Sequence, residues 1–232
     1  MIAPPPSPAL QRPLPGGWLI ALLAGWLALD QLLLWRFLNV MPLWAYGLGA
    51  LLTGLLCVAI VRTARDFAGP TAATWLICIG VATILLLLGG EGRFFYANID
   101  WQVRFAVLRD MSINPWPFVY TARGEAELLR APVGMFLIPA LAAKALGGGA
   151  GDIALLVQNS LLTGTLLALG STLFVTRRAK MIALAVVVGF SGLDALGRIL
   201  FRGGLSDHLE NWAYLQYSST VTLAFWVPQH AI

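Results

Sequence analysis

Charge is what this chain has least of. Only 11% of its 232 residues are Asp, Glu, Lys or Arg, against 59% hydrophobic, so a water-facing surface of ordinary extent cannot be built and a soluble globular domain is excluded. Cysteine and histidine are equally scarce, with two of each. Cys57 and Cys78 both fall inside apolar runs, at neither a disulfide-framework nor a metal-ligand spacing, and read as small core residues. The formal charge of +4 comes from basic residues beside apolar runs and not from a basic stripe, which excludes a nucleic-acid surface.

What the chain has instead is long apolar sequence. A helix needs about 20 apolar residues to cross the hydrocarbon core, because every backbone group must be bonded within the segment. Five segments meet or approach this: 18–38, 42–61, 71–90, 153–175 and 181–197. Nothing charged lies between Asp66 and Glu91, or between Asp152 and Arg177. The expected fold is all-α, a polytopic transmembrane helix bundle with about five spanning helices. The proline-rich opening, MIAPPPSPALQRPLPGG, has no apolar periodicity and reads as a disordered tail over 1–17, followed by an uncleaved first anchor.

The stretch 131–146 holds thirteen uncharged residues between Arg130 and Lys144 and carries Pro132 and Pro139, a length that suits a helix lying at the interface. Charge supports that reading. Arg62 and Arg65 follow the second span, and Arg177, Arg178 and Lys180 follow the fourth; both loops face the cytoplasm only if 131–146 does not cross. The amino terminus is then cytoplasmic. Residues 91–152 form one outer loop with interfacial helices over 101–111 and 131–146, and 198–232 share its side.

Most of the polar chemistry therefore faces one compartment. In DWQVRFAVLRDM, Trp101, Phe105 and Leu108 recur at helical spacing with Arg104 beside them, as in a helix with aromatics at headgroup level and charges in water. Asp100 at its start can cap that helix, serve as a general base in a groove at the bilayer surface, or do both. A second cluster, RILFRGGLSDHLENWAYLQY, holds Asp207, His208 and Glu210, with Asp194 in the preceding span. These acids can bind a divalent ion, or position a phosphate with Arg198 and Arg202; a solvated, helix-capping loop accounts for them equally well. Asp194 can pair with Arg198 one turn on. Asp30, in the first span, reads by default as an interhelical hydrogen-bonding group, and His230 as structural or exposed. Trp101, Trp116, Trp212 and Tyr214 can stack on sugars or anchor at the interface, and anchoring is the commoner use.

The order of these elements resembles the amino-terminal core of GT-C-type integral membrane glycosyltransferases over residues 71–210. A span leads to an outer loop opening on Asp100, then an amphipathic helix, the proline-containing RAPVGMFLIPALAAKALGGG, a long span ending in RRAK, and a further span. The resemblance implies an enzyme that takes a sugar from a polyprenyl-phosphate donor on the outer face of a bacterial inner membrane. In that reading Asp100 is catalytic, and Trp101, Arg104, Asp194, Arg198, Arg202, Asp207, His208 and Glu210 bind substrate. Where the family often has two adjacent acids, Asp100 is followed by Trp101. GFSGLDALG and QYSSTVTLAFWVPQHA also look like stretches of uncharacterised multi-pass bacterial membrane proteins. The family usually carries more spans, so the chain is expected to be an amino-terminal fragment. The competing expectation is a non-catalytic membrane subunit or assembly factor on the same scaffold. A transporter is a third, and lacks the paired interrupted helices it would need.

Overall fold

A computed structural model of the protein describes residues 10–95, 99–121, 124–127, 129, 131–189, 197, 199–201, 203 and 223. The molecule is mostly helical. A short strand β1 (Pro13–Pro15) leads into α1 (Gly16–Leu38), α2 (Leu43–Thr63), strand β2 (Ala68–Thr71) and α3 (Ala72–Gly89). A 3₁₀ turn (Glu91–Arg93) precedes α4 (Ile99–Ile113), α5 (Gly134–Leu146), α6 (Gly148–Gly170) and α7 (Arg177–Gly189). Four helical segments are long and apolar enough to cross a membrane: Gly16–Leu38, Leu43–Thr63, Ala72–Gly89 and Gly148–Leu173, the last including a closing 3₁₀ turn. The anticipated fifth span is helical over Arg177–Gly189, and residues 190–196 lie outside the described residues.

Local chemistry sets the element ends. Asn39 closes α1 in the left-handed conformation, with φ 53°, and Pro42 stands immediately before α2. Thr71 caps α3 by accepting the Thr74 backbone N–H at 3.2 Å. Within the stretch expected to be a disordered tail, Pro13–Pro15 pairs antiparallel with Ala68–Thr71, and α1 begins at Gly16. A proline-rich strand is tolerated there because it sits at the edge of a two-stranded ribbon. The break before α6 falls at Gly147, and the helix starts five residues earlier than its apolar run, at Gly148.

α1 and α2 form an antiparallel hairpin, in which the Cys57 thiol donates to the Ala21 carbonyl at 3.5 Å and Trp35 meets Tyr46 edge-on. α3 and α6 form a second antiparallel pair. Gly164 makes that contact possible, since a Cβ there would stand 2.5 Å from the Ile79 Cα. Trp75 donates its indole N–H to Thr165 Oγ1 at 3.0 Å across the same seam. α5 folds back along the first half of α6, where the Gln158 amide donates to the Met135 carbonyl at 3.0 Å.

These pairings sort the connections between two ends of the bundle. At one end, β2, paired with β1, meets the 3₁₀ turn Ser171–Leu173 that precedes α7. At the other, the end of α1, α4, α5 and the first half of α6 enclose the main core of Phe37, Trp101, Val107, Leu108, Met111, Trp116, Phe136, Leu137, Ala140 and Leu155. Of the aromatics expected at headgroup level, Trp101 is packed inside the protein. Trp101 is 2% exposed, and buried Trp116 donates its indole N–H to the Met111 carbonyl at 2.8 Å. The physical reason is that the apolar stripe of α4 packs against α5 and α6, with Phe37 of α1 in the same core.

Candidate functional site

A cleft of about 270 Å³ opens between α4 and the start of α5, lined by Asp100, Val103, Arg104, Val107, Ala131, Pro132 and Phe136. Asp100 and Arg104 are four residues apart on α4 and so share a face. Pro132 and Phe136 supply the opposite wall. Asp100 stands in the first turn of α4, one residue inside the helix and not before it as a cap residue would. A carboxylate remains favourable there, because the first-turn N–H groups point toward it.

Arg104 reaches inward. Its guanidinium lies 5.2 Å from the centre of the Trp101 ring, and its Nη1 is buried with no hydrogen-bond partner among the described residues. Burial lowers its proton affinity, while the charges of Asp100 and Glu91 raise it. Trp101, read as an interfacial anchor or a sugar-stacking residue, is buried and packs against Phe105 with ring centres 5.2 Å apart.

Beneath this groove lies a polar cluster that the sequence reading passed over. Glu91 is 0% exposed. Its Oε1 accepts the Asn159 side-chain amide at 2.6 Å, and its Oε2 is buried without a partner among the described residues. Asn159 Oδ1 in turn accepts the Gln158 side-chain amide at 3.3 Å. Two left-handed glycines deliver Glu91 to this position: Gly90 at φ 108° ends α3, and Gly92 at φ 83° turns the chain away again. Burial pushes the Glu91 carboxyl up to about 8, an effect that the Asn159 hydrogen bond and the Arg104 charge oppose. Nearby, Arg93 pairs with Asp152 at 3.7 Å and lies 5.0 Å from the centre of the Phe105 ring. The available signals were an acid flanked by glycines straight after an apolar span, and the polar triplet Gln158-Asn159-Ser160 inside another.

No family model, curated protein or solved structure matches this chain. Of the expected site residues, Asp100, Trp101 and Arg104 come together. Asp194, Arg198, Arg202, Asp207, His208 and Glu210 lie outside the described residues. Among the described residues, no group of three or more His, Cys, Asp or Glu side chains gathers to hold a metal ion. Asp30 is half-buried in α1, and its Oδ1 has no hydrogen-bond partner among the described residues.

Proposed function

We propose that this chain is a multi-pass membrane protein of the GT-C type, whose α4–α5 groove receives a polyprenyl-phosphate-linked sugar. The observation that carries the reading is one carboxylate and one guanidinium, Asp100 and Arg104, lining a single apolar cleft. The cleft volume of about 270 Å³ is close to the lower end of small-molecule sites, near 300 Å³, and suits a headgroup better than a whole lipid. Val103 lines the cleft while 65% exposed, which leaves an apolar lip for the polyprenyl chain to pass.

In this reading Asp100 takes the proton of the acceptor hydroxyl as its oxygen attacks the anomeric carbon. The bond from that carbon to the phosphate oxygen breaks with inversion, and the leaving polyprenyl phosphate keeps the electron pair. Arg104 balances the charge on the departing phosphate, for which a planar guanidinium is well matched. Four long apolar helices support residence in a bilayer. The basic residues that follow α2 and precede or begin α7 support a cytoplasmic placement for the end that carries β1 and β2.

The test is sugar transfer from a polyprenyl-phosphate donor by membranes containing the full chain. Asp100→Asn is expected to lower the rate by at least about 100-fold, the scale of a lost general base, with unchanged membrane insertion. A fully active variant removes Asp100 as the base, and no transfer by the wild-type chain removes the enzymatic reading and leaves a non-catalytic membrane subunit.

A further inference from the structure

Glu91 stands behind the groove without lining it, and its surroundings give it a role there. Two groups of opposite formal charge, buried Glu91 and half-buried Arg104, each keep a buried polar atom without a hydrogen-bond partner among the described residues, Oε2 and Nη1. They feel one another's charge, yet the ion pairs among the described residues are Arg65–Asp66 and Arg93–Asp152. A carboxylate buried without a contact cation is costly, and the neutral acid is the form that burial favours. The neutral acid also fits the geometry: a carbonyl Oε1 accepts from Asn159, and Oε2 carries the proton.

Among the described residues, the charged and titratable groups around Glu91 are few. On its own turn is Arg93, whose charge is answered by Asp152 of α6. α6 otherwise presents the Asn159 and Gln158 amides, and α3 the apolar Leu86 and Leu87. α4 presents Arg104, with Asp100 beyond it. Arg104 is therefore the cation whose field Glu91 controls.

We propose that Glu91 is a positioning residue that sets how strongly Arg104 holds an anion in the groove: the neutral acid leaves the guanidinium charge to a phosphate, and the carboxylate cancels it. Phosphate binding is then coupled to proton uptake at Glu91. This rests on the reading of the groove as a phosphate site.

The experiment measures binding of a polyprenyl monophosphate to the full chain in lipid nanodiscs from pH 7 to about 9.5, a range above the second phosphate pKa of about 6, so that the ligand's own charge is nearly constant. Wild-type affinity is expected to fall by at least about threefold across the range, as a carboxylate forms near Arg104. Glu91→Gln is expected to hold the low-pH affinity throughout. A flat wild-type profile, or an unchanged slope in Glu91→Gln, overturns the proposal while the groove reading stands. Equal binding of the phosphate-free polyprenol, or full binding by Arg104→Ala, sinks the groove reading and the proposal with it. A readout free of any variant is the infrared spectrum of the wild type over the same range: the proposal requires a protonated-carboxyl band that disappears as pH rises, and its absence overturns the proposal.

Discussion

Asn159 donates its side-chain amide to Glu91 Oε1 at 2.6 Å, joining the middle of α6 to the turn after α3 across a sequence separation of 68 residues. Both groups are buried, so the bond has no competition from water. Substituting Asn159→Ala leaves Oε1 unsatisfied and is expected to cost about 1–3 kcal/mol. Thermal unfolding in detergent measures this, and an unchanged midpoint contradicts it. The same variant is expected to raise the Glu91 pKa further, because the hydrogen bond opposes the effect of burial.

The buried acid also gives stability a pH dependence of defined sign. The Glu91 carboxyl is raised from 4.5 to about 8, so between those values the folded protein holds a proton that the unfolded chain has released. Its contribution is full below pH 4.5, declines as pH rises through the window, and is lost above about 8. Glu91→Gln, which keeps the shape without the charge, is expected to flatten this decline and to be the more stable protein above pH 8. Unfolding midpoints of the two proteins from pH 5 to about 9 decide it, and parallel curves refute it.

At the α3–α6 seam, Gly164 has no room for a side chain, since the Ile79 Cα would lie 2.5 Å from its Cβ. Backbone cannot yield as a flexible side chain can. Gly164→Leu is expected to separate the two helices and to destabilise the protein by at least about 3 kcal/mol, or to prevent folding. Gly80→Ala, where nothing lies within 4 Å of the added carbon, is the control and is expected to be tolerated. Similar losses in both variants would show that the close approach at Gly164 is not what matters.

Residues 125 and 176 test the proposed orientation, because the segment joining α4 to α5 and the approach to α7 leave opposite ends of the bundle. With Cys57 and Cys78 replaced by Ala, Glu125→Cys is expected to react with a membrane-impermeant thiol reagent added to intact cells, and Thr176→Cys only after permeabilisation. The reverse pattern inverts the orientation, and labelling of both from outside rejects the separation of the two ends.

Helicity and the long apolar segments were legible in the linear sequence because each depends on neighbouring residues alone: an uninterrupted apolar run in lipid must satisfy its backbone internally, and a helix does so. The low charge and the spacing of Asp100 and Arg104 were legible for the same reason. Helix limits set by one residue's backbone geometry were harder to read. Gly147 ends one helix and admits another, whereas hydropathy placed the start of α6 at the next apolar residue.

What surrounds a side chain was decided only by tertiary packing. Trp101 has the character of an interfacial anchor and becomes core because α5 and α6 pack against α4, with Phe37 of α1 in the same cluster. Glu91 reads as the first charge after a span. It becomes a buried acid because α6 extends past the end of α3 and brings Asn159 to it. Proton affinity follows from solvent access and nearby charge, and both are properties of three-dimensional neighbours that no local pattern specifies.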